Sequence, residues 1–198
     1  MAFLGELIIP VATIIVGLLF FWGLSELFFL DILGLGRRKA IHQLPKAAKK
    51  FGFKEDKSKT SHNYGKYTGT YGGYNFVVNP ESSATIELHM DPVPGLEEIA
   101  TYRKQTNFDS GNNGFDGFLK TRLASDDLGR KLRDATPFLE HTVQFVKRWK
   151  RPCNYFQIYK DTIYFSFKYG MGHYIPASVL EEIVPDLVKL ADLLQAIP

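Results

Sequence analysis

The stretch Tyr67–Asn79, YTGTYGGYNFVVN, decides the architecture of this chain. Aromatic and β-branched residues flank Gly72-Gly73, which predicts strands at Tyr67–Tyr71 and Tyr74–Asn79. The two glycines supply the positive φ angles that a tight hairpin turn requires. A third strand follows at Ala84–Met90, where Ile86 and Leu88 alternate with Glu87 and His89, and Pro92 and Pro94 end it. Residues 96–104 and Phe118–Ala124 also read as strands. Tyr155–Tyr159 and Ile163–Phe167 form a second hairpin around Lys160-Asp161.

Helical periodicity surrounds these strands. Residues 38–52 (RKAIHQLPKAAKKFG) place Ile41, Leu44, Ala48 and Phe51 at helical spacing, with Pro45 near a start and Gly52 as a stop. Asp126–Arg133 is a short helix capped by Ser125 or Asp126. Thr136–Lys150 carries Pro137 at its start and Lys147, Arg148 and Lys150 in its last turn, where cations complement the helix dipole. In Ser178–Ala196, residues Leu180, Ile183, Val184, Leu187, Ala191 and Leu194 share one face. Ser178 and Glu181 have capping-box spacing, and Pro185 predicts a kink. The expected fold class is α+β, a domain of antiparallel β-hairpins with helices packed on one side.

Upstream, Leu7–Ser25 (LIIPVATIIVGLLFFWGLS) contains no charge. A helix of about 20 apolar residues crosses a bilayer core, so a single transmembrane helix is expected. No Lys or Arg precedes this run and no small-x-small site follows it, which argues against a cleaved secretory signal. Nine basic residues lie between Arg37 and Lys59, giving that segment a charge of +7, whereas residues 60–198 carry −1. The positive-inside rule then places the N-terminus outside and the C-terminal domain in the cytoplasm. The expected location is a bacterial inner membrane, the bacterial part of which rests on the resemblance given below. Three segments follow: an anchor and interfacial extension over 1–36, a basic juxtamembrane helix and loop over 37–63, and the α+β domain over 64–198. Glu26 and Asp31 reach headgroup water from the extension, or pair with a partner subunit. With Thr13, Gly17 and Trp22, they are the candidate contacts to integral membrane protein subunits. Arg37, Arg38, Lys39, Lys46, Lys49 and Lys50 are candidate contacts to an anionic lipid surface.

The densest cluster of polar turn formers is residues 107–118, NFDSGNNGFDGF. Asp, Ser, Asn and Gly favour turns through side-chain-to-backbone bonds or positive φ. The residues Asp109, Gly111, Gly114, Phe115, Asp116 and Phe118 therefore read as a structural turn whose phenylalanines plug into the core. A calcium loop is the rival, but Gly111 fills one ligand position without a side chain and Lys120 stands where the bidentate Glu belongs.

This stretch resembles a motif of bacterial, often membrane-associated domains, D-x-G-D-x-x-F-D-x-x-F. Asp109, Gly111, Phe115 and Asp116 match it, Asn112 replaces the second acid, and Leu119 takes the last position. The glycine-rich hairpin after an amphipathic helix is similar too. The resemblance implies the fold and no activity.

Other constellations are thin. His42, His62, His89, His141 and His173 are scattered, and one cysteine, Cys153, offers neither a zinc pair nor a disulfide. Cys153 reads as a buried structural thiol. There is no P-loop or hydrolase elbow, and Tyr71–Val78 does not fit the RNP1 pattern, so nucleic acid is not an expected partner. No catalytic residue, metal or cofactor is assigned. The expected function is a non-catalytic accessory subunit of a bacterial membrane complex, photosynthetic, respiratory or secretory. The alternative is a membrane-tethered enzyme or ligand-binding domain, for which Asp109, Asp116, His141 and His173 are the residues to inspect.

Overall fold

Gly72 and Gly73 both adopt positive φ, +60° and +87°, and fold the first hairpin so that Tyr71 faces Tyr74. Gly72 is doubly required, because a Cβ there would lie 2.7 Å from Cγ1 of Val188. A computed structural model describes residues 42–56, 65–80, 84–101, 106–168 and 174–198. The expected transmembrane helix and its flank lie outside these residues. Among the described residues, no helix is long and apolar enough to cross a membrane.

The hairpin strands are β2 (Lys66–Tyr71) and β3 (Tyr74–Asn79). Short β1 (Lys54–Asp56) precedes them, and β4 (Thr85–His89), β5 (Leu96–Ala100) and β6 (Lys120–Leu123) follow. The second hairpin is β7 (Cys153–Tyr159) with β8 (Thr162–Phe167). They form one antiparallel eight-stranded sheet in the order β1-β2-β3-β4-β8-β7-β5-β6. The helices are α1 (Leu44–Lys50), α2 (Asn113–Phe118), α3 (Asp126–Asp134), α4 (Thr136–Trp149) and α5 (Ala177–Gln195). The α+β class with antiparallel hairpins is therefore observed.

Strand alternation separates the two faces. Phe76, Val78, Ile86, Leu88, Ile163, Phe165, Phe156 and Ile158 are buried on one side. The helices pack there. Phe145 of α4 meets Phe156 and Phe165 at 5.3 and 5.7 Å between ring centroids, and Val188 of α5 sits beside Gly72. The rows Val77–Glu87–Tyr164–Gln157 and Asn75–His89–Thr162–Tyr159 occupy the other face. There Gln157 donates to the buried Glu98 carboxylate, and the Tyr155 and Tyr164 rings lie 6.2 Å apart.

Three expectations change. The folded unit runs from Ile41 to Pro198, so the boundary expected at residue 64 is too late. Leu44, Ala47, Ala48 and Phe53 join the core, and β1 pairs with β2. The capping box does not form. Pro176, at φ −63° and ψ 146°, is the cap without a side-chain bond, the helix starts at Ala177, and Glu181 pairs with Lys50 instead. The turn at 109–118 contains helix α2, so the strand expected from Phe118 begins at Lys120. Helix α5 keeps its predicted apolar face and continues through the exposed Pro185.

Candidate functional site

The turn between β5 and β6 is a closed circuit of local hydrogen bonds. Asp109 accepts from the Gly111 amide at 2.8 Å, and Gly111 reaches φ +77° to permit it. That amide chiefly holds the exposed Asp109 carboxyl below its usual range. The buried Ser110 gives its amide and hydroxyl to the two oxygens of Asp116, at 3.2 and 2.9 Å. Asn112 caps α2 by accepting from the Phe115 amide at 3.1 Å. Gly114 leaves room for this cap, because a Cβ there would lie 3.2 Å from Asn112 Oδ1. Arg133 Nε and Lys120 Nζ donate to the Asp109 and Asp116 carbonyls at 3.1 and 2.9 Å.

Phe115 enters the core fully, with its ring 6.3 Å from Phe138. Phe118 packs against the core from its rim. It stays half-buried beneath α4, with Lys147 and Lys150 Nζ at 5.8 and 5.9 Å from its ring centre. The carboxylates that a cation would need are thus engaged with Gly111 and Ser110 of the same turn. No group of three or more His, Cys, Asp or Glu among the described residues could hold a metal ion.

The segment before β6 also seals its outer edge. Thr106 Oγ1 donates to the Thr121 carbonyl at 2.6 Å. The Asn107 amide group both donates to and accepts from the Leu123 backbone, at 2.7 and 2.9 Å, as a neighbouring strand would.

The other candidates are spread across the domain. Cys153 is half-buried, and burial pushes its thiol up to about 12, which removes it as a nucleophile near neutral pH. His141 lies half-buried on α4 with Nε2 unpartnered, and burial lowers its pKa. His89 is on the other sheet face, with Nδ1 3.2 Å from Thr162 Oγ1. His62 and His173 lie outside the described residues. Tyr67, Tyr71 and Tyr74 all sit on the helix side of the sheet. Tyr67 is buried, Tyr71 meets Phe51 edge-on, and Tyr74 donates to Asp192 at 2.7 Å. They build core and do not form an open stacking platform.

Among the lipid-contact candidates, Arg37, Arg38 and Lys39 lie outside the described residues, as do Thr13, Gly17, Trp22, Glu26 and Asp31. Lys46 and Lys49 are exposed on α1 opposite the buried Leu44, Ala47 and Ala48. Lys50 is not free, because Glu181 holds it at 2.7 Å. On the other side of α5, Arg148 binds Glu182 and Asp186 at 2.7 and 2.9 Å. Trp149 Nε1 also donates to Asp186, at 3.2 Å. The carboxylates at the start of α5 are thereby matched from both flanks. The neighbouring Lys147, Lys150 and Arg151 were not among the sequence-derived candidates. The run KRWKR at 147–151 was their signal.

The class defined by this geometry is a two-layer α+β domain with helices on one face of an antiparallel sheet. No protein-family model matches the chain, and no curated protein matches it. Among solved structures, it is similar to the mycobacterial trehalose monomycolate transport factor A, TtfA, with a TM-score of 0.49 and 15% sequence identity. The similarity covers 83% of this chain and 97% of that one. A likeness at this level assigns no function.

Proposed function

We propose that this chain is a non-catalytic accessory subunit of a bacterial membrane complex. Its apolar N-terminal segment is the anchor and its α+β domain sits at the cytoplasmic surface. The observation that supports this reading is the seating of α1. Helix α1 begins five residues after Lys39, and its apolar side is part of the domain core. Lys46 and Lys49 face solvent on its other side, where anionic headgroups attract them. Lys50 and Glu181 join the helix to α5. The chain leaving the basic flank thus enters the fold within about a helical turn, which suits a domain that braces other subunits at a membrane.

The test is purification of the tagged full chain from its native membrane in mild detergent, followed by native mass spectrometry. An integral membrane protein is expected at fixed stoichiometry. Exchanging residues 7–33 for an unrelated apolar anchor should release that partner while leaving the domain folded. A chain that purifies alone, or a soluble chain, overturns the proposal.

A further inference from the structure

Five exposed cations lie on or at the end of the two helices that flank the first turns of α5. Lys46 and Lys49 approach on α1, and Lys147, Lys150 and Arg151 at the end of α4. The contacts that bring the two groups together are Lys50–Glu181 on one flank and Arg148–Glu182 and Arg148–Asp186 on the other. Those pairs also neutralise the acids that lie between the groups. Lys46, Lys49, Lys147, Lys150 and Arg151 make no ion pair among the described residues. The α4 part of the patch is a feature of placement, since residues 60–198 as a whole carry −1.

Lys147 and Lys150 also flank the half-buried Phe118 ring at 5.8 and 5.9 Å. An apolar edge between ammonium groups suits the boundary of headgroup and acyl chain, where long cationic side chains lay down their stems and keep their charge in water.

We propose that this end of the helix layer, Lys46 and Lys49 of α1 with Lys147, Lys150 and Arg151 at the end of α4, docks on acidic phospholipid headgroups of a membrane surface. The inference rests on the anchored reading above and extends it: the α4 terminus becomes a second point of membrane contact, far in sequence from the anchor. Charge complementarity selects the occupant. Each cation near an anionic bilayer strengthens attraction about fivefold, and salt weakens it.

The experiment uses the full chain reconstituted in vesicles of phosphatidylcholine alone, or of phosphatidylcholine with phosphatidylglycerol. Outward-facing molecules are labelled with an amine-reactive reagent, and modification of Lys147 and Lys150 is read by mass spectrometry. Lys160, exposed at the other end of β7, is the internal reference. Expected is a labelling rate about fivefold lower for Lys147 and Lys150 in the anionic vesicles. High salt should restore it, and so should the double variant Lys49→Gln, Arg151→Gln. Equal labelling in both vesicle types, with the chain inserted in each, overturns the lipid contact and leaves the anchor standing. Protection that ignores lipid charge also overturns it, in favour of a protein contact. A chain that inserts in neither vesicle removes the anchored reading itself, and the proposal with it.

Discussion

Replacing Asp116 with alanine tests whether the 109–118 turn is a clasp or a ligand site. The wild-type carboxylate accepts the Ser110 amide at 3.2 Å and the Ser110 hydroxyl at 2.9 Å. Ser110 is only 5% exposed, so water cannot readily replace the lost acceptor. A hydrogen bond to a charged group contributes roughly 1.5–3 kcal/mol, and a stranded buried donor costs about 1–3 kcal/mol. Asp116 is itself half-buried and the two terms overlap, so the expected loss is about 2–3 kcal/mol. For a domain of this size that corresponds to a fall in Tm of about 4–12 °C. Asp116→Asn keeps one acceptor for the amide and should lose about 1 kcal/mol. Thermal unfolding of both variants, followed by circular dichroism in mild detergent, reads the difference. An unchanged Tm for Asp116→Ala refutes the clasp. So does a wild-type Tm that rises with added calcium while the variant's does not.

Lys160 turns the second hairpin at φ +47°, where an L side chain is disfavoured by about 1–2 kcal/mol, so Lys160→Gly should stabilise the domain by about 0.5–1 kcal/mol in urea unfolding. A loss of stability would mean that the Lys160 side chain matters more than its backbone. His141 has its pKa lowered from 6.5 by burial, so the unfolded chain binds its proton more readily than the folded one. Stability should therefore be full above that value and decline as pH falls below it, levelling off once the folded ring is protonated too. His141→Gln should flatten this part of the stability profile, and an identical profile would show that other groups set it. Protease added outside intact spheroplasts should leave the C-terminal domain whole, because nine basic residues follow the apolar run and none precede it. Digestion there would reverse the topology.

The sheet was readable where burial is one-sided. Ile86 and Leu88 against Glu87 and His89 show the period of two in side-chain exposure, and α5 shows its helical period from Leu180 to Leu194. Strand β1 was hidden because Lys-Glu-Asp on a short edge has no apolar alternation to detect. Helix α2 was hidden because its residues favour turns in isolation. It forms because Asn112 caps it and Phe115 anchors it in the core. Ser178 and Glu181 misled because spacing alone does not say that Pro176 starts the helix earlier or that Lys50 competes for Glu181. The basic end of the helix layer was only half legible. The run at 147–151 is plain, but its meeting with α1 depends on α5 linking residues as far apart in sequence as Lys50 and Glu181.

The Asn107 amide at the rim of β6 has a consequence for how this protein can be approached. A bare strand edge is an invitation to other chains, because its unpaired amides and carbonyls accept any extended segment. Here the outward side of Thr121 and Leu123 is already taken, by Thr106, by a one-residue backbone bridge from Phe108 and by the Asn107 side chain. The sheet ends at that rim by hydrogen-bond valence. A visiting peptide would have to evict Asn107 before it could join. Recognition at that end must therefore go through faces and side chains, which a cell can tune residue by residue, and the sheet is protected there against growing into its neighbours.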